Sequence, residues 1–193
     1  MSEELHGTVA KKMEELGPGV TVAMQIKIDA YFDVVRGLVD DFASRKGLKC
    51  IYVTCSVPAA SLENAFKALE VNASDLSFVD CISQSLMGEM QRREEMTFVE
   101  SPSMLENIVL KVDYLMRRAG DKKSVVIFDS FNSFAIHNDS KMLLEFFTIA
   151  MNMLKAREAY PVLIALPEQL RPEAKDTLPM ICDMVLTFDS QAP

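Results

Sequence analysis

Ser124-Val125-Val126-Ile127-Phe128-Asp129 is the stretch that decides how this chain is read. Its consecutive apolar side chains are mostly β-branched, which suits a pleated strand better than a helix. Successive strand side chains point to opposite faces, so an unbroken apolar run must be covered on both sides, as in the middle of a parallel sheet. Working outward, the pattern recurs over 20–28, 50–54, 162–166 and 184–188, with shorter candidates over 76–79 and 96–99 and a polar loop over 88–95. Between these runs the apolar spacing becomes helical. Asp29 is placed to cap a helix carrying Tyr31, Val34, Val35, Leu38, Val39 and Phe42, which Gly47 ends. Further helices are predicted over 61–69, from a Ser103 cap to Gly120, and over 141–157. The alternation predicts an α/β fold: three layers, with a mostly parallel central sheet flanked by helices.

Ahead of this lies residues 1–18, where Leu5, Val9, Met13 and Leu16 recur at helical spacing until Gly17-Pro18-Gly19 stops them, giving an amphipathic helix. The remainder, 19–193, reads as a single domain, in keeping with a chain of 193 residues. A hydrophobic content of 49% with 25% charged residues excludes intrinsic disorder and leaves apolar surface to meet a partner. A formal charge of −8 argues against direct contact with nucleic acid. No segment approaches the ~20 apolar residues of a membrane span, and the first residues lack a basic then apolar leader, so a soluble, cytoplasmic protein without membrane contact is expected. Cys50, Cys55, Cys81 and Cys182 form no C-x-x-C pair and read as small buried apolar groups in a reducing compartment.

In a parallel sheet the ligand crevice lies beyond the carboxyl ends of the strands. Those ends point to 27–33, 55–58, 80–83, 129–133, 167–170 and Asp189. Here the order of segments becomes recognisable. Lys49-Cys-Ile-Tyr-Val-Thr-Cys-Ser-Val-Pro-Ala-Ala-Ser-Leu62, Phe78-Val-Asp-Cys-Ile-Ser83, Val99-Glu-Ser-Pro-Ser-Met-Leu105, Ser124-Val-Val-Ile-Phe-Asp-Ser-Phe131 and Cys182-Asp-Met-Val-Leu-Thr-Phe188 together resemble the KaiC-like branch of the RecA superfamily, over roughly residues 19–189.

That resemblance implies a RecA-like domain whose relatives bind ATP between subunits, using a G-x-x-x-x-G-K-[ST] loop after the first strand, glutamates after the second and an acidic end of the central strand. The first counterpart here is Gln25-Ile-Lys-Ile-Asp-Ala-Tyr-Phe-Asp33, with no glycine between Gly19 and Gly37 and no Gly-Lys-Ser/Thr anywhere. Ile28, Tyr31 and Phe32 do not supply the positive-φ backbone of a phosphate loop, and Asp29 and Asp33 bring negative charge to it. Cys55 and Ser56 stand where the glutamates would fall, and neither is a carboxylate base. Asp129-Ser130 retains the acidic strand end. The expectation is therefore a vestigial nucleotide site at Lys27, Asp29, Ser56, Asp129 and Ser130, with no catalytic residue and a Walker A loop that has degenerated.

Other chemistry finds little support. His6 and His137 have no nucleophile partner in a recognised order. Asp80, Asp129, Asp183 and Asp189 would gather on one rim, as polar strand ends of any parallel sheet do, and a metal site is the minor reading, with Asp129 its only candidate. The basic pairs Arg92-Arg93, Arg117-Arg118 and Lys122-Lys123 are too short and dispersed for a nucleic-acid stripe. The helix over 141–154 is apolar beyond a single stripe, and Met142, Phe146, Phe147 and Met151 are expected at an interface. The expected function is that of a pseudo-ATPase: a protein-binding, scaffold or signalling subunit without ATP hydrolysis. It would act as a homo-oligomer or with another RecA/KaiC-like protein. No cofactor is expected. The alternative is a protein that still binds ATP or ADP through a non-standard loop, with weak or no ATPase activity.

Overall fold

The apolar runs become strands of one sheet in the computed structural model, which describes residues 4–88 and 94–189. These strands are β1 (Val22–Ile26), β2 (Lys49–Thr54), β3 (Leu76–Asp80), β4 (Met96–Phe98), β5 (Ser124–Asp129), β6 (Tyr160–Ala165) and β7 (Met184–Phe188). They form a seven-stranded sheet in the order β4-β3-β2-β5-β6-β1-β7, with every pairing parallel. Residues 124–129 lie at its centre, and every one of them is buried.

The helices sort by direction of travel across the sheet. From β1 to β2 to β3 the chain moves one way, through α2 (Tyr31–Arg36), its continuation as a π-helix (Gly37–Ser44), and α3 (Ala59–Ala68). After β4 it moves back through α5 (Leu105–Arg118), α6 (Phe131–His137), α7 (Ser140–Ala156) and α8 (Pro172–Ile181). Right-handed crossovers with opposite directions of travel place the two sets on opposite faces. Two separate cores follow. Alternate residues Val125 and Ile127 of β5 join the cluster around Phe42, Phe66 and Phe78, while Val126 and Phe128 join the cluster around Phe134, Phe146 and Phe147. A short helix, α4 (Ser83–Met87), follows β3, and α1 (Leu5–Leu16) packs on the first of these faces.

Several expectations are corrected at the level of elements. Neither Asp29 nor Ser103 is a helix cap. Asp29 lies inside a 3-10 turn (Ile28–Ala30), and Met104 precedes α5 while the Ser103 hydroxyl meets that of Ser101. The chain after β5, for which no helix was predicted, forms α6. Most of the predicted 88–95 loop, with Arg92-Arg93, lies outside the described residues.

The π-helical turn has a physical partner in α1. A Cβ on Gly37 would stand 2.5 Å from the His6 carbonyl oxygen and 2.8 Å from Val9 Cβ, so only a glycine lets the two helices approach this closely. Beside it the buried Asp41 carboxylate bonds His6 Nδ1, and Glu4 bonds Nε2. Burial opposes a charge on His6, but the two carboxylates outweigh it and raise its pKa. Gly37→Ala is expected to lower stability by about 1–3 kcal/mol through overpacking, despite alanine's better helix propensity. Urea unfolding, with hydrogen exchange of α1 as the local readout, checks it. Unchanged protection of α1 would mean that the close approach carries no energy.

Candidate functional site

β2 and β5 are neighbours in the sheet, but the chain leaves β2 in one direction and β5 in the other. This is the topological switch point, where open α/β sheets bind ligands. The register pairs Thr54 with Asp129, and Cys55 N–H donates to the Asp129 carbonyl at 2.9 Å. Alternation along β5 turns the Asp129 side chain to the α2 face of the sheet, with Val125 and Ile127. There it meets two phenols. Tyr52 Oη, from the middle of β2, donates to Asp129 Oδ2 at 2.6 Å. Tyr31 Oη, from the first turn of α2, donates to the same oxygen and lies 3.1 Å from Tyr52 Oη.

This triad fills the switch point from inside. Asp129 is 1% exposed, and burial raises its pKa, an effect the two phenols partly offset by favouring the carboxylate. Burial together with the Asp129 charge likewise holds both tyrosines in the phenol form. The segment after β1 thus delivers a side chain into the sheet where a phosphate loop would expose backbone N–H groups. A nucleotide phosphate with its magnesium ion does not fit these residues as they stand, because the Asp129 carboxylate at the end of β5 is enclosed and already hydrogen-bonded.

The other predicted residues do not converge on Asp129. Lys27 is exposed and lies 3.7 Å from Asp189 across the β1 and β7 ends. Asp29 and Ser56 are exposed, whereas Ser130 is buried with its hydroxyl 3.4 Å from that of Ser133. His137 is exposed at the end of α6. The aspartates expected on one rim also separate. Asp183 precedes β7 at the amino end, where it accepts from Thr21 and Lys155. Asp80 is fully buried and accepts four hydrogen bonds from Ala59, Ile82 and Ser83. Among the described residues no three His, Cys, Asp or Glu side chains are grouped to hold a metal ion. All four cysteines are free thiols and buried; burial, with Cys81 alongside, pushes the Cys55 thiol well above its ordinary pKa, so no thiolate nucleophile forms there.

Sequence reasoning noted Tyr31 as an apolar helix position and as too bulky for a phosphate loop, and gave Tyr52 no role beyond its strand. The available signal was a hydroxyl in the middle of the buried strand Lys49–Thr54, since a buried phenol needs a partner.

The expected interface residues are corrected by burial. Phe147 is 0% exposed, and Phe146 and Met151 also belong to the core under α7. Of the four, only Met142 faces solvent, and Ile149, two turns further along the same face of the helix, joins it. Among the described residues no helix is long and apolar enough to cross a membrane.

No family model matches the chain, and no curated protein matches it by sequence. Among solved structures it is similar to a KaiC-like protein of the hyperthermophilic archaeon Pyrococcus horikoshii, at 15% identity and a TM-score of 0.60, covering 89% of this chain and 72% of that one. It is also similar to the flagellar accessory protein FlaH of Methanocaldococcus jannaschii, at 14% identity and a TM-score of 0.55, covering 89% of this chain and 71% of that one. These similarities show the fold alone: a three-layer α/β domain of RecA-like architecture.

Proposed function

We propose that this domain is a RecA/KaiC-like fold used as a protein-binding, scaffold or regulatory subunit that does not hydrolyse ATP. One observation carries the reading: Tyr31, from the segment that follows β1, donates with Tyr52 to the buried Asp129 at the switch point. Phosphoryl transfer is positioning and electrostatics, and it needs donors and a metal-holding carboxylate facing the ligand. A strand-end carboxylate closed off by two phenols serves the fold instead. The name of the Methanocaldococcus jannaschii neighbour, an accessory protein, is in keeping with a subunit that assists another. Self-association, in the cytoplasm, is part of the same reading. It draws support from the outer edge of β7, which pairs with no strand among the described residues and where Met180, Met184 and Val185 are exposed.

Calorimetry and thermal melting with ATP and magnesium test the proposal. At about 1 mM, a nucleotide with a dissociation constant of about 10 μM would stabilise the fold by about 2.7 kcal/mol. For a domain of this size that is a rise in melting temperature of roughly 5–10 °C. The expected result is no saturable heat and no shift, together with light scattering from a species larger than a monomer. Saturable ATP binding that is lost in Asp129→Asn would overturn the reading in favour of a nucleotide-binding protein with a non-standard loop.

A further inference from the structure

On the face opposite the Tyr31–Tyr52–Asp129 triad, residues of α5 and α7 line an open groove of about 770 Å³. Its floor includes Leu105 and Phe146. Its walls are Leu110, 65% exposed, on one helix and Met142 and Ile149, 49% and 59% exposed, on the other. Met142 and Ile149 are seven residues apart and therefore share one face of α7, next to the stripe that enters the core. A contiguous apolar groove between two surface helices marks an interaction site. Its apolar walls on two helices suit the helix-in-groove mode, in which anchors at i, i+3, i+4 and i+7 enter such a channel.

The charges of the groove choose the occupant. Among the described residues of its lining Glu106 on α5 and Glu145 on α7 are the only ionisable ones, so each wall contributes an acid and neither contributes a base. Among the described residues neither acid has an ion-pair partner, whereas Asp113 of the same α5 is paired with both Arg117 and Arg157. A second copy of the chain docking by two-fold symmetry would bring these acids against their own counterparts, which is repulsive. We infer that the α5–α7 groove is the docking site for an amphipathic helix of a different protein, with apolar anchors along one face and lysines or arginines flanking them. The inference rests on the binding-subunit reading and supplies the surface through which that subunit would act.

The probes are two synthetic amphipathic peptides with the same leucines at i, i+3, i+4 and i+7, one flanked by lysines and one by glutamates, followed by fluorescence anisotropy. The basic peptide is expected to bind saturably and about tenfold or more tighter than the acidic one at low salt, the preference shrinking as salt rises. Leu110→Asp and Ile149→Asp each are expected to abolish binding, and the double variant Glu106→Lys/Glu145→Lys to reverse the preference. All four positions are at the surface, so unchanged circular dichroism and melting temperature report that the variants are folded. Equal binding of the two peptides, binding that survives Leu110→Asp and Ile149→Asp, or an oligomer of the chain that these substitutions dissociate would overturn the inference. Binding of ATP in the separate calorimetry would sink the non-hydrolysing subunit reading while leaving the peptide result standing. Failure of the peptides would remove the groove while leaving that reading intact.

Discussion

Tyr52→Phe is expected to destabilise the domain by about 2–3 kcal/mol at neutral pH, a large effect for the loss of one oxygen atom. The substitution keeps the ring and its packing between Phe66 and Phe78, so the loss falls on the hydroxyl. That hydroxyl bonds Asp129 Oδ2 at 2.6 Å inside the sheet, and bonds to a charged acceptor are the stronger kind. For a chain of this size the melting temperature should fall by roughly 5–10 °C. The pH dependence identifies the cause. Asp129 has its pKa raised above the ordinary carboxylate value in the folded state, so the fold holds that proton more tightly than the unfolded chain does. Its contribution therefore favours folding at acid pH and is withdrawn as pH rises through the raised pKa. Removing a phenol that favours the carboxylate raises that pKa further and enlarges the withdrawal. The penalty of Tyr52→Phe should accordingly be smallest near the acid end of the folded range and grow towards neutrality. In an Asp129→Asn background, where no charge remains to be solvated, it should shrink, a non-additivity that a double-mutant cycle measures. A penalty independent of pH and additive with Asp129→Asn would place the role of Tyr52 in packing alone.

The inner strands were legible in the sequence because burial on both faces leaves a continuous apolar run, and the last strand is apolar in sequence although only Phe188 of it is buried. The last strand, Met184–Phe188, matches its expected limits, and the others agree within one or two residues. Helix α8 was not legible. It carries Pro179 in its closing turn, a residue that argues against a helix although the fold tolerates it there. Helix α6 was not predicted, because 129–133 were read only as a strand end, although Phe131 and Phe134 already stand at helical spacing. The π-helical turn over Gly37–Ser44 depends on α1 lying against it, and no local pattern records that. On α7 the excess of apolar residues was visible, but composition does not say which stripe faces the sheet. Phe146, Phe147 and Met151 turned inward, leaving Met142 and Ile149 outside. At the switch point Asp129 was legible as a strand end. Its enclosure was not, because it arises from the β2–β5 register and from the crossover that brings Tyr31 back across the sheet. No glycine stands between Gly19 and Gly37, and Tyr31 of that segment packs into the sheet against Asp129.

Asp80→Ala is expected to be the most damaging single substitution at the carboxyl rim, at about 4–5 kcal/mol. Its carboxylate lies at the end of β3 with no exposure and accepts from Ala59 N–H at 2.8 Å, Ile82 N–H at 3.0 Å, Ser83 N–H at 2.8 Å and Ser83 Oγ at 2.6 Å. Helix α3 begins at Ala59 behind Pro58, which offers no side-chain cap, so the neighbouring strand supplies the acceptor that the helix lacks. The same carboxylate fixes the turn into α4. Truncation would strand several donors at once, and each unsatisfied buried group costs about 1–3 kcal/mol, reduced somewhat where water can enter. Asp80→Asn keeps the shape and one acceptor oxygen but turns an amide N–H₂ towards groups that themselves donate, so an intermediate loss of about 2–3 kcal/mol is expected. Urea midpoints should fall in the order native, Asp80→Asn, Asp80→Ala, and should not respond to added magnesium. If the alanine variant does not fold, the asparagine variant carries the comparison. A loss below about 1 kcal/mol for both, or stabilisation of the native chain by magnesium that either substitution removes, would make Asp80 a ligand of the rim rather than the cap of α3 and α4.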